Sequence, residues 1–118
     1  MKVQKIAQAA TTDQIDARGD MEGVSGSPVI ALSGKKVVIP GKESVNTGIF
    51  ECTAGSYRRV IKQAEIMHIL QGEGSFTPDG EEPVYFRPGD ALFFAENTEG
   101  LWVIESIMRK VYVIVDAN

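Results

Sequence analysis

The sequence holds one cysteine, Cys52, and one histidine, His68, in 118 residues. A single thiol cannot close a disulfide within the chain, and it cannot build a cysteine-rich zinc centre. Small secreted domains commonly rely on such staples, so the expected compartment is the cytoplasm. A lone histidine leaves a Ser-His-Asp triad only His68 to use, and no Gly-x-Ser-x-Gly elbow supplies a serine for it. Positive charge is in deficit: 12 Lys and Arg stand against 16 Asp and Glu, a formal net charge of −4. With no basic stripe the chain is a poor match to a phosphate backbone or an anionic lipid surface. Neither nucleic acid nor membrane is expected as a partner. No apolar run nears the roughly 20 residues of a membrane-crossing helix. The stretch Met1–Ile6 lacks the apolar core of a signal peptide. Phosphate loops of the Gly-x-x-x-x-Gly-Lys-Ser/Thr and Gly-x-Gly-x-x-Gly types are also missing.

What is present is ordinary globular material, with 43% hydrophobic residues, and many turn formers, 12 Gly and 5 Pro. The length suits one domain. Residues 1–27 are rich in Gln, Thr, Asp, Gly and Ser and read as an N-terminal arm, with at most a short helix or strand near Val3 to Ala10. Residues 28–118 read as a single β-barrel domain. Short apolar runs rich in Val, Ile, Phe and Tyr follow one another there, separated by turn signals. They lie at Val29–Leu32, Lys36–Ile39, Thr47–Thr53, Tyr57–Gln63, Glu65–Gln71, Gly74–Thr77, Val84–Arg87, Ala91–Ala95, Leu101–Glu105 and Met108–Val115. Thr77-Pro78-Asp79-Gly80 should close a hairpin, and Arg87-Pro88-Gly89-Asp90 favours a type II turn. Such a succession of strands predicts an all-β antiparallel sandwich or barrel.

Alternation along the strands assigns faces. In Glu65–Gln71 one face carries Glu65, Met67, Ile69 and Gln71, and the other carries Ile66, His68 and Leu70. In Met108–Val115, Val111, Val113 and Val115 oppose Tyr112 and Ile114. In Ala91–Ala95, Phe93 opposes Leu92 and Phe94. Several strands are thus apolar on both sides, whereas a sheet with one wet face alternates more cleanly. One face is expected to line a barrel interior. The other is to be covered by the arm or by a second chain, which predicts a homodimer.

The stretch from Thr47 to Val115 resembles a cupin. Glu65-Ile66-Met67-His68-Ile69-Leu70-Gln71-Gly72 follows the pattern Glu-x-x-x-x-Leu-x-Gly, and Pro88-Gly89-Asp90 is similar to the turn before the second cupin motif. Gly48–Gly55, Gly100-Leu101-Trp102 and Arg109-Lys110-Val111-Tyr112 are similar to the small single-domain subfamily that includes ureidoglycine aminohydrolase and EutQ-type proteins. The resemblance implies a double-stranded β-helix, or jelly-roll barrel, usually dimeric, with a pocket in the barrel mouth.

A typical cupin supplies His-x-His, then Glu three or four residues later, then a second-motif His, a donor set suited to Mn, Fe, Ni or Zn. Here Glu65 takes the Glu place. The His-x-His places fall on Arg58 and Val60, or on Arg59 and Ile61, and the last falls on Gly100. Three of the four expected ligands are absent, so neither a metal nor any other cofactor is expected. His68 lies three residues after Glu65 and points to the opposite face of a regular strand, which makes it a sheet residue before it makes it a ligand.

The candidate pocket residues are Arg58, Arg59, Glu65, His68, Trp102 and Glu51. Arg58 or Arg59 would clamp an anion. Glu65 is read either as one half of a barrel-mouth ion pair or as a ligand-binding carboxylate or base. Glu51 is more an exposed edge charge than a pocket acid. Trp102 is either a pocket wall or a core aromatic. Phe50, Met67, Phe93 and Tyr112 read as packing, and Cys52 as a buried, inert thiol. The leading expectation is a metal-free barrel that binds a small polar organic ligand. Against it stand a metal-dependent enzyme acting on a ureide or amine, and a scaffold whose pocket is filled by side chains such as Met67 and Trp102.

Overall fold

The computed structural model describes residues 2–115, and among them every regular element is a strand. The strands are β1 Asp16–Met21, β2 Ile30–Val37, β3 Asn46–Cys52, β4 Gly55–Ile61, β5 Glu65–Gln71, β6 Gly74–Pro78, β7 Val84–Phe86, β8 Ala91–Phe94, β9 Thr98–Ile104 and β10 Met108–Ile114. Two antiparallel sheets form the jelly roll that the resemblance implies. One has the order β1-β2-β3-β10-β5-β8 and the other β4-β9-β6-β7.

The turns behave as their residues require. Gly80 takes φ +78° in the β6–β7 turn, and Gly89 takes φ +98° in the turn before β8. There Asp90 N–H donates to Arg87 C=O at 3.1 Å, and the Asp90 carboxylate accepts from Arg87 N–H at 2.9 Å. A side chain at either glycine would meet the left-handed penalty.

The two apolar runs Val29–Leu32 and Lys36–Ile39 are one strand, β2, because Ser33-Gly34-Lys35 continues the pairing with β3. The arm also departs from expectation. Residues 3–10 hold no helix or strand, and its strand is β1, which pairs with β2. The polar composition of Asp16–Met21 conceals it, since an edge strand exposed on both sides needs no apolar alternation.

The core lies between the sheets. Trp102 of β9 is fully buried against Phe76 at 4.8 Å, Phe94 at 5.7 Å, Phe86 at 5.9 Å and Tyr57 at 6.4 Å between ring centroids. Burying a ring the size of Phe76 contributes about 2–3 kcal/mol. This aromatic plug closes one part of the bore and leaves another open.

Face assignments follow the alternation except at one place. Glu65, Met67 and Ile69 point inward, Ile66 and His68 outward, and Phe93 outward beside the inward Leu92 and Phe94. The β5–β10 register slips between Arg109 and Lys110: Arg109 pairs with Gln71 and Lys110 with Ile69, so Leu70 has no partner. This bulge turns Gln71 to the outer face, opposite to the face expected for it, because an extra residue inverts the alternation beyond it. There Gln71 Nε2 donates to Ala10 C=O of the arm.

A buried ion triad in an open bore

Arg59, Glu65 and Lys110 meet inside the barrel from three strands. Arg59 sits on β4 opposite Gly100, Glu65 opens β5, and Lys110 lies near the start of β10. The Glu65 carboxylate spans both cations: Oε1 accepts from Arg59 Nη2 at 2.8 Å, and Oε2 lies 3.4 Å from Lys110 Nζ. Glu65 and Lys110 are each 2% exposed.

The Lys110 ammonium is caged. Met67 Sδ stands 3.2 Å away, and the Phe50 and Trp102 ring centroids lie at 5.0 and 5.3 Å. The rings supply cation–π attraction that offsets part of the lost hydration. Burial still dominates and pulls the amine down from its ordinary range to about 8. Glu65 opposes the fall and Arg59 adds to it. Nearby, burial pushes the Cys52 thiol up to about 11 and raises the Tyr57 hydroxyl as well. Cys52 is buried, as expected of it.

Above the triad lies a cavity of about 310 Å³. Leu32, Phe50, Tyr57, Tyr112 and Ile114 give it apolar and aromatic walls, Arg59, Glu65 and Lys110 provide its inner charge, and Arg58 lies at its rim. The space is not filled by Met67 and Trp102, as a vestigial pocket would require.

The expected site residues divide accordingly. Arg59 and Glu65 come together as the inner pair. Arg58 points outward to the rim and pairs with Asp79 at 2.6 Å, so of the two arginines only Arg59 reaches Glu65. Trp102 is a core aromatic behind Lys110 and does not line the cavity. His68 is excluded from the pocket because it pairs with Val111 and Ala91 on the outer face. Glu51 is excluded for the same reason, being bound at 2.8 Å to Arg109 on that face. Phe50 and Tyr112, read as packing, instead line the cavity.

Lys110 enters the sequence analysis only within Arg109-Lys110-Val111-Tyr112, with no role in the pocket. One signal was available: it shares parity with Tyr112 and Ile114, the inward face of β10.

The donor set does not fit a divalent metal of the kind cupins hold. Where the histidines would stand, Arg59 and Ile61 face inward, and the last place is Gly100. A Cβ at Gly100 would come within 2.4 Å of Thr77 C=O and 2.5 Å of Phe76 Cζ, so no ligand side chain can be held there. Two cations flank the one carboxylate. Among the described residues no three His, Cys, Asp or Glu side chains cluster as a metal site would need.

Residues 32–112 match a family model described as the EutQ-like cupin domain. The fold is shared with the EutQ protein of Clostridium difficile at a TM-score of 0.65 and 17% identity, over 75% of this chain and 71% of that one. It is shared with ectoine synthase from P. lautus at 0.61 and 19%, over 70% and 62%. A protein of unknown function from Pseudomonas syringae, of the DUF861 family, gives 0.72 and 16%, over 86% of this chain and 44% of its own. No curated protein matches the chain.

Proposed function

The chain belongs to the EutQ-like cupin domain family, and we propose that its bore binds a small organic anion directly, through Arg59 and Lys110, with no metal of its own. The observation that carries this reading is the charge inside the barrel: two cations share one carboxylate, which leaves a surplus positive charge facing an apolar cavity. A single carboxylate on a ligand neutralises it at short range and low dielectric, where such pairing is strong. Arg59 gives one Nη2 bond to Glu65, and a guanidinium has further N–H donors to offer. Glu65 then acts as the acceptor that holds both cations in place. The cavity volume suits a ligand of modest size.

The test is a thermal-shift and calorimetric panel of small monocarboxylates, their amides and matching amines. Monocarboxylates should bind, more weakly at high salt, and Arg59→Gln should reduce the affinity at least about tenfold. Binding of amines in place of carboxylates would overturn the reading. So would a transition metal at one per chain in the purified protein, which is the expectation for an enzyme working on a ureide or amine.

The proposal extends to a cytoplasmic homodimer. The arm crosses one half of the outer face: Arg109 Nη1 donates to Ala9 and Thr12 C=O, and arm residues share a groove with Ile49 and Val111. The other half is left open, with Ile66 41% and Phe93 75% exposed side by side on β5 and β8. A second copy meeting this strip through its own would cover both. Sedimentation at micromolar concentration should give a dimer, and Phe93→Glu a monomer. Among the described residues, no helix is long and apolar enough to cross a membrane.

A further inference from the structure

We propose that Lys110 Nζ forms a reversible imine with the carbonyl carbon of a small 2-oxo acid seated in the bore, its carboxylate against Arg59. The inference rests on the anion reading above and names the ligand class. Three features of the site support it. Among the described residues Lys110 is the only lysine lining the cavity, and its amine is held in one place by Glu65, Met67 and two rings. A lysine both desolvated and set beside another cation is the activated kind, and Lys110 has burial on one side and Arg59 on the other. Finally, Glu65 Oε2 stands 3.4 Å from Nζ, within reach of the protons that must move.

The step balances without an external oxidant or reductant. Glu65 takes a proton from the ammonium, and the free electron pair of Nζ attacks the carbonyl carbon. A C–N bond forms, the C–O π bond breaks, and the oxygen takes up the proton to give a carbinolamine. Nitrogen then gives up a second proton, the hydroxyl leaves as water with a proton returned by Glu65, and the C=N bond closes. Leu32, Phe50 and Ile114 give the imine an apolar wall. The titratable groups that act on Nζ across the strands are Glu65 from β5, Arg59 from β4 and Cys52 from β3. Of these, Glu65 and Arg59 are the charged ones at the fall of the amine to about 8, so a usable fraction is unprotonated near neutral pH.

The experiment incubates the full chain with pyruvate near pH 8, adds sodium cyanoborohydride, and reads intact mass and peptide maps. The six other lysines are all exposed and serve as internal controls. The expected result is one reduced adduct per chain, mapped to Lys110 at least about tenfold above the mean of the exposed lysines. Lactate, the hydroxyl counterpart, should stabilise the chain and leave no adduct. Labelling spread over the exposed lysines, or no labelling, overturns the imine. In that event stabilisation by lactate leaves the anion reading standing, and its absence removes both. The peptide map of the unaltered chain decides the question without a variant.

Discussion

Lys110 Nζ and Glu65 Oε2 lie 3.4 Å apart, and both side chains are almost wholly withdrawn from water. They stand 45 residues apart in the chain, on the neighbouring strands β10 and β5. An ion pair so placed gains little net stability over an apolar pair of the same shape, because desolvation offsets much of the Coulomb attraction. Its removal in part is a different matter, and the two halves are not equivalent.

Glu65 serves two cations, so Glu65→Gln strands both. The expected cost is about 3 kcal/mol or more in urea unfolding. Lys110→Met leaves Glu65 with Arg59 at 2.8 Å and fills the same space with apolar atoms, so its cost should be much smaller, within about 1 kcal/mol. Equal costs for the two would contradict the shared-carboxylate geometry.

Stability should rise with pH between about 8 and 9. Below 8 the Lys110 amine is protonated in both folded and unfolded chains, and its burial penalty is fully present. From about 8 towards its ordinary 10.5 the unfolded chain holds a proton that the folded chain has released, so the folded state gains as pH increases. Above about 9 the raised Cys52 and Tyr57 act in the opposite sense, since the unfolded chain loses their protons first. The gain across the clean window is about 1 kcal/mol by urea midpoints. Lys110→Met should abolish it.

Gly100→Ala should destabilise the fold by about 2 kcal/mol, since its Cβ must displace Thr77 C=O or the Phe76 ring. Gly100→His should be worse and should not create a metal centre. Elemental analysis after incubation with manganese or nickel should show no bound metal.

Arg109→Met should release the arm without opening the barrel. It removes the bond to Glu51 and those to Ala9 and Thr12 C=O. Amide exchange should quicken across residues 9–12 while β5 and β9 keep their protection, and proteolysis should begin in the arm.

The sequence by itself determined much of this protein. Short β-branched runs and Pro-Gly turns specified the strands, and the period of two placed Glu65, Met67 and Ile69 on one face and His68 on the other. The imidazoles missing from Arg58 and Val60, or from Arg59 and Ile61, and from Gly100 argued against a metal centre. These are local properties, carried by each residue and its immediate neighbours. Tertiary structure decided the rest. It chose Arg59 over Arg58 as the partner of Glu65, sent Glu51 and Gln71 to the arm side of the sheet, and placed β1 along β2. It also brought Lys110 into the bore. Each of those outcomes depends on which strand lies beside which, and on one unpaired residue in β5 that inverts the alternation. Such pairings span tens of residues, and their energy exists only once the sheets have closed around them.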